Sequence, residues 1–582
     1  MITAALRQQP YPRQPAALFR ETRWATRGIA ASAAVLLTSL AAMPPAPAAS
    51  APPVDSKALL GATDNRTDWL THGRTYDEQR FSPLEQINSG NVRNLGLAWY
   101  ADLDTARGQE GTPLVIDGTI YITTAWSEVK AYDAVSGKLR WEYDPKLDLL
   151  YIGVGNGSPW NPTYRSPGGG DNLYIDSIIA LKPKSGEYVW HYQMTPGDTW
   201  DFDAAAHMIL ADLEIGGRLR PVLMQAGKNG FFYVLDRTSG ELISAANFVP
   251  VNWAKGIDSQ SGRPIENPEA RIDRTGKLYV VTPGPGGAHS WQPSAYDRKT
   301  GLVYIPALEV GFPYMADAHW KAAALGFNVG MDFGAGAMPA DTNIRAAAKA
   351  ATKGALIAWD PVAQKERWRV PFKGPWNGGV LATGGGLVFQ GNATQEFAAY
   401  DAASGAKLWS IAVQTGVIAA PVTYSIKGEQ YVAVLAGWGG AWALAPGILS
   451  EVAGPVRNVS RLLVFKLGAT AQLPPEPPVA RRPLDPPAVT GTPEQSAEGA
   501  QHYGRFCGVC HGDAAFGGGL LPDLRRSALL ADSKVWASVV HDGALRSRGM
   551  VSFAPVLSSA QIDAIRLYII KRANEDKALG DR

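Results

Sequence analysis

The 582-residue chain has only two cysteines, three residues apart in Cys507-Gly-Val-Cys510-His511. Thiols at that spacing can form thioethers to the vinyl groups of a haem, and the next histidine then lies under the iron. A redox thiol pair is the competing reading. The second axial ligand should be Met or His. Met550 is the only methionine after Met338, and a thioether there would raise the haem potential. His502 and His541 are its rivals. Two such cysteines exclude a disulfide-stapled scaffold.

Helices must hold these groups. Thr492-Pro-Glu-Gln495 reads as a capping box with Pro at the first helical position, leading to Tyr503, Phe506 and Cys507. Ser558-Ser-Ala-Gln561 is a second box, followed by Ile562, Ile565, Tyr568 and Ile569 at helical spacing. Two terminal helices packed around a haem resemble the all-α class I cytochrome c fold.

Ahead of this segment, Leu473–Pro487 carries seven prolines, which forbid a regular helix or central strand. The expected organisation is a leader over 1–50, a large domain over 55–470, a Pro-rich linker over 471–492 and a cytochrome domain over 493–582. The leader has five arginines and one acid, Glu21, a net of +4; the formal total is +2, so the remainder carries −2. That balance does not suggest a nucleic-acid partner. Arg20, Arg23 and Arg27 precede the uncharged run Gly28–Met43 and a small-residue exit, as in a secretory signal. The run is short of the roughly 20 residues of a membrane span. The expectation is an exported protein of the periplasm with no span once the signal is removed.

The large domain repeats. Ala131–Trp141 (AYDAVSGKLRW) returns as Ala180–Trp190 and Ala399–Trp409, with looser copies at Val234–Gly240, Ala295–Gly301 and Ala358–Gln364. Each copy is a strand, a turn and a second strand; most use an Asp in the turn and a Gly to leave it. Hairpins at a period of about 40–60 residues predict the blades of an all-β propeller.

The chain resembles the quinohaemoprotein alcohol dehydrogenases, a propeller holding pyrroloquinoline quinone (PQQ) followed by cytochrome c. The likeness rests on Tyr76–Ser82 (YDEQRFS), Gly108–Leu114 (GQEGTPL), Gly153–Trp160 (GVGNGSPW), Thr195–Asp201 (TPGDTWD), Gly227–Phe232 (GKNGFF), Gly374–Gly379 (GPWNGG) and Gly437–Gly440 (GWGG). By resemblance, Asp201 is the catalytic base and a metal ligand, Asn156 a further ligand, and Lys228 the cation on the quinone carbonyls. Glu110, Trp376, Asn377, Trp438 and Asn328 correspond to other PQQ contacts. Asp203 matches the extra carboxylate of lanthanide-dependent relatives, on the same face as Asp201 if the backbone is extended. The resemblance implies PQQ, haem c and a calcium or lanthanide ion as cofactors. It implies an alcohol substrate and a periplasmic electron acceptor, whether a cytochrome, a copper protein or a quinone.

One departure stands out. In relatives, the strand seen here as Trp141–Lys146 leads into a long stretch with a vicinal cysteine pair, an Arg and a Thr for PQQ, a Glu for the metal, and the Trp on which PQQ stacks. Here Lys146 runs almost directly into Leu149–Gly153. Fusion of two like turns would remove roughly 150 residues, two to three of the family's eight blades, leaving about five to six. The expectation is therefore a dehydrogenase whose own activity is impaired; the rival is an exported c-type electron carrier with a degenerate propeller.

Overall fold

A computed structural model describes Val54 and residues 56–103, 108–124, 129–143, 154–181, 188–454, 458–476 and 482–580. The leader, the junction Lys146–Leu147 and part of the Pro-rich linker lie outside the described residues.

The repeated Asp builds a turn. Asp133 Oδ1 accepts from the backbone N–H of Val135 and Ser136 and from Ser136 Oγ. Asp401 repeats this on Ala403 and Ser404, and Asp236 takes the N–H and hydroxyl of Thr238. The carboxylate thus satisfies the donors that the tight turn exposes. Gly137, Gly240, Gly301 and Gly405 follow at positive φ, each donating its N–H to the carbonyl of the turn Asp.

The same glycines seat tryptophans from neighbouring sheets. A Cβ on Gly137, Gly240 or Gly405 would meet the ring of Trp99, Trp190 or Trp368 at 2.5–2.6 Å. Each indole N–H then donates to a carbonyl in that turn: Trp99 to Ala134, Trp190 to Arg237 and Trp368 to Ala402. Trp409 donates likewise to Leu95. The repeat therefore encodes both a hairpin and its joint to the next sheet, one polar atom and a large apolar face at a time.

The sheets are antiparallel hairpin stacks. The strands Leu114–Ile116, Thr119–Thr123, Val129–Asp133 and Leu139–Tyr143 form one, in sequence order. Ile209–Ile215 to Leu242–Asn247 form another, whose strand Phe231–Asp236 is buried at every residue. The strands Ala295–Asp297, Leu302–Glu309, Lys353–Asp360 and Lys365–Phe372 form a third. Val380–Thr383 to Lys407–Ala412 form a fourth, with Phe81–Ser82 added in parallel. In the last, Leu95–Asp102 pairs with Arg461–Leu467, so the first long strand is stitched to the end of the sheet region. Between the first two lies a sheet with only Ser177–Leu181 and Tyr188–Gln193 among the described residues.

Helices Pro493–Phe506 and Ser559–Ala578 begin with the two expected capping boxes, both with reciprocal bonds formed. They share one core with the helix Ser533–Val540, built from Tyr503, Phe506, Trp536, Ile565 and Ile569. This segment also grips the propeller. Phe327 N–H donates to the Arg505 carbonyl, Asp513 N–H to that of Ala445, and Met338 N–H to the Asp513 carboxylate.

Candidate active site

The Pro-Gly-Asp-Thr-Trp-Asp stretch folds around Asp198. That carboxylate is fully buried and accepts the backbone N–H groups of Trp200, Asp201 and Phe202 at 3.0–3.3 Å. The turn is braced from outside: Trp200 Nε1 donates to the Ala270 carbonyl, Tyr314 Oη to that of Trp200, and the Arg271 guanidinium lies 4.5 Å from the Trp200 ring centre. Asp201 is held at φ +68°, a region that non-glycine residues enter rarely and often at functional sites.

Lys228 Nζ donates to Asp201 Oδ2 at 3.1 Å and to Asp203 Oδ2 at 2.6 Å. The two carboxylates converge, as expected, but through the left-handed turn at Asp201 rather than an extended strand. Burial pushes the Asp201 carboxyl up to about 7; Lys228 opposes the shift, while Asp198 and Asp203 add to it. The Lys228 ammonium is nearly buried, and its pKa is still raised, because the two carboxylates outweigh desolvation.

The loop bearing Asn156 joins this cluster through its backbone. Ala204 N–H donates to the Val154 carbonyl and Asp176 N–H to that of Gly155. Asp176 was not singled out in the sequence. A single acid ahead of an apolar strand reads as a turn residue, and no local signal marks it.

A second wall is aromatic. Trp376, Trp438 and Trp442 are buried in one cluster, with Trp291 packed against it. The indole N–H groups of Trp376, Trp438 and Trp442 have no hydrogen-bond partner among the described residues. Gly440 sits at φ +74°, and a Cβ there would approach the Trp376 ring at 2.7 Å. Gly440 N–H donates to Glu110, whose carboxyl is nonetheless raised by desolvation. Leu520 of the helical segment packs on this cluster, so the aromatic wall runs on toward the cytochrome.

Two expected contacts are differently engaged. Asn377 Nδ2 donates to the carbonyls of Gly374 and Pro375, and its oxygen accepts from Ala393 N–H. Asn328 bonds both ways with the Ala323 backbone and accepts from Arg505. Their amides serve the loop and the domain contact in this structure.

At the haem motif, Cys507 is buried and Cys510 exposed; burial pushes the Cys507 thiol up to about 12. His511 Nδ1 lies 3.0 Å from the Pro522 carbonyl. A carbonyl only accepts, so Nδ1 carries the proton and the Nε2 lone pair is left for a metal. Met550 packs on the helical core, whereas His502 and His541 pair with Glu498 and Asp542.

Unpartnered buried indole donors, a half-desolvated carboxyl and a buried ammonium suit a polar, flat, anionic cofactor such as PQQ. The oxygen-only set of Asn156, Asp201 and Asp203 suits a hard cation. A propeller with such a pocket, closed by a haem-motif helical segment, defines a quinohaemoprotein dehydrogenase. Residues 69–148, 143–266 and 339–432 match the family model "Glucose/ethanol/alcohol dehydrogenase, beta-propeller domain", and 494–569 match "Cytochrome C oxidase, cbb3-type, subunit III". Quinohaemoprotein alcohol dehydrogenase ADH IIB of Pseudomonas putida is 40% identical, over 91% of this chain and 96% of its own length. The structure of ADH IIG from Pseudomonas putida HK5 matches with a TM-score of 0.82 at 36% identity, over 91% of this chain and 98% of that one. A europium-containing methanol dehydrogenase matches at 0.58 and 25% identity, over 71% of this chain and all of that one. The chain belongs to the PQQ-dependent quinohaemoprotein alcohol dehydrogenases, enzymes whose cofactors are PQQ, haem c and a calcium or lanthanide ion.

The match to ADH IIB also measures the shortfall. It spans 676 aligned positions but uses 91% of 582 residues, about 530, so roughly 146 positions have no residue of this chain opposite them. The first two family-model stretches overlap at 143–148, where the sequence places the fused turns.

Proposed function

We propose that this chain is a periplasmic dehydrogenase of primary alcohols with weakened cofactor binding. The convergence of Asp201 and Asp203 on Lys228 carries the reading. Bound PQQ supplies the hydride acceptor, and a bound metal ion the Lewis acid, of this chemistry. Asp201 takes the hydroxyl proton of the alcohol, held in place by its N–H bond to Asp198 and by Lys228. Lys228 sets positive charge where the cofactor's carbonyl oxygens gain negative charge. Trp376 and Trp438 shape the apolar wall and exclude water, and Glu110 marks the pocket's polar edge. Asn156, Asp201 and Asp203 would hold the metal ion. In the helical segment Cys507 and Cys510 would attach the haem, and His511 and Met550 would ligate its iron, which would supply one-electron transfer. An external cytochrome, copper protein or quinone is the electron acceptor. Among the described residues no helix is long and apolar enough to cross a membrane.

The roughly 146 unmatched positions favour impairment. The stacking floor and several polar contacts for PQQ belong, by resemblance, to the missing stretch. Losing such partners costs several kcal/mol of binding, on the order of a hundredfold or more in affinity. The test is dye reduction by ethanol after loading the full chain with PQQ and calcium or lanthanum. Slow turnover that needs excess PQQ is expected, and ordinary turnover overturns the impairment. A haem spectrum with no PQQ binding at all would leave the chain an electron carrier.

A further inference from the structure

The acidic cluster holds one carboxylate more than the motifs account for. Asp176 immediately precedes the strand Ser177–Leu181 and is fully buried. Neither of its carboxylate oxygens has a hydrogen-bond partner among the described residues. Its neighbours differ in this respect. Asp198 is capped by three backbone N–H groups, while Asp201 and Asp203 both reach Lys228.

Burying an ionised carboxylate without a partner costs several kcal/mol. Taking up a proton does not resolve the position, because the new O–H would find no acceptor and the second oxygen still no donor. The charges acting most on Asp176 are those of Asp198, Asp203 and Asp201, opposed by Lys228, and Arg165 also lies in its field. Asp198 itself lies in the field of Arg165 and Arg271. Asp201 and Asp203 both pair with Lys228, and Asp176 lies in the same field without a bonded cation of its own among the described residues. The cluster is rich in carboxylates and short of cations, an imbalance that a bound metal ion relieves.

Backbone bonds put the remaining donor beside the same group. Asp176 N–H donates to Gly155 O at 3.2 Å, one residue before Asn156, and Ala204 N–H fixes the loop start at Val154 O, 3.4 Å away. We propose that Asp176 is a metal-ligating carboxylate of this chain, completing with Asn156, Asp201 and Asp203 an all-oxygen site for calcium or a lanthanide ion. These four side chains offer about four to seven oxygens, and water can fill a hard ion's shell of 6–8. Asp176 then takes over the charge of the Glu that relatives carry in the missing stretch. The assignment rests on the dehydrogenase reading for the existence of the metal site, but the choice of ligand is separately testable.

The experiment uses the full chain stripped with a chelator and titrated with terbium chloride. Tryptophan-sensitised emission reads affinity, and lifetimes in H₂O and D₂O read the number of bound waters. Asp176→Asn is expected to weaken terbium binding on the order of 10–100-fold and to add bound water. Without metal, its melting temperature should equal or exceed that of the native chain, since an unpartnered buried charge is gone; the rise in melting temperature on adding calcium should shrink. Asp176→Ser, with a shorter neutral side chain, guards against a folding defect peculiar to Asn. Native affinity and hydration in both variants overturn the assignment, as does a native chain that binds no terbium. Terbium binding that depends on Asp176, with no ethanol turnover under any loading, removes the dehydrogenase reading and leaves the ligand. Turnover with Asp176-independent binding removes only the ligand.

Discussion

In the helical segment, the groups proposed to hold the haem lie between Cys507 and Met550, and the flanking helices are started by bonds three residues apart, Thr492 to Gln495 and Ser558 to Gln561. In the propeller, Lys228 reaches back across 27 residues to Asp201, and Glu110, Trp376 and Trp438 meet across more than 300 positions of sequence. On the proposed reading, a stretch missing near 146 leaves the first region whole and strikes the second. A haem site held by contiguous sequence survives a lost segment. A pocket lined by several sheets loses whichever wall that segment supplied.

The largest effect that would break this contrast is all-or-none. Replacing Cys507 and Cys510 with Ala should abolish covalent haem, seen as loss of haem stain on a denaturing gel, because no other cysteine can form the thioethers. Terbium affinity at the propeller should stay within about twofold, since distant independent sites act additively. A coupled loss of metal binding would mean that the two regions fold as one unit.

Acid should separate them next. The His207 side chain is buried on the propeller beside Glu78, with Nε2 3.3 Å from its carboxylate and Nδ1 without a partner among the described residues. Desolvation lowers its pKa from 6.5 to about 4; Glu78 opposes this, and His72 and Arg80 add to it. Because the folded pKa is depressed, the contribution to stability is complete above pH 6.5 and is lost as pH falls through 4. The loss amounts to about 3 kcal/mol at full protonation. Burial lowers His289 to about 4 as well, which adds a loss of the same sign. In the helical segment, buried Asp576 stays ionised below its ordinary 3.8, held by Arg525 and Arg345 against its own burial. Tryptophan fluorescence should thus report propeller melting at a higher pH than the haem band reports loss of the cytochrome. His207→Gln should narrow the gap, and coincident transitions would refute the separation.

Legibility from sequence follows the same division. The turns at Asp133 and Asp401 and both capping boxes were readable because each is a bond set by a short local pattern. The joints at Gly137 and Gly405 were not, because their partners Trp99 and Trp368 come from neighbouring sheets. Asp201 and Asp203 were readable only through resemblance. Their alternation in sequence suggested one face, and the structure reaches that face through a left-handed residue that no pattern announces. Asp176 was not legible at all. Its environment is made by the loop at Gly155 and the acids of the 198–203 turn, brought together by packing. Asn377 shows what resemblance alone does not convey. An amide matched to a cofactor contact is engaged by the backbone of its own turn.

The smallest effect sharpens how independent the helical segment is. Arg345, on the propeller-side helix Thr342–Ala351, lies 2.8 Å from Asp576 Oδ1, and Arg525 holds the other oxygen at 2.6 Å. All three side chains are buried. Removing one partner of a buried pair normally costs 3–5 kcal/mol, because it strands a charge. Here Arg345→Met leaves Asp576 paired with Arg525, and a methionine of similar reach can fill the space. The expected cost is therefore about 1 kcal/mol, read as a small fall in the haem-band melting temperature with tryptophan fluorescence unmoved. Arg525→Met should cost several times more, since Asp523 and Asp576 both rely on it. If Arg345→Met instead costs as much as Arg525→Met, the cytochrome's charge network is completed by the propeller, and the contrast between a self-contained region and a distributed one fails.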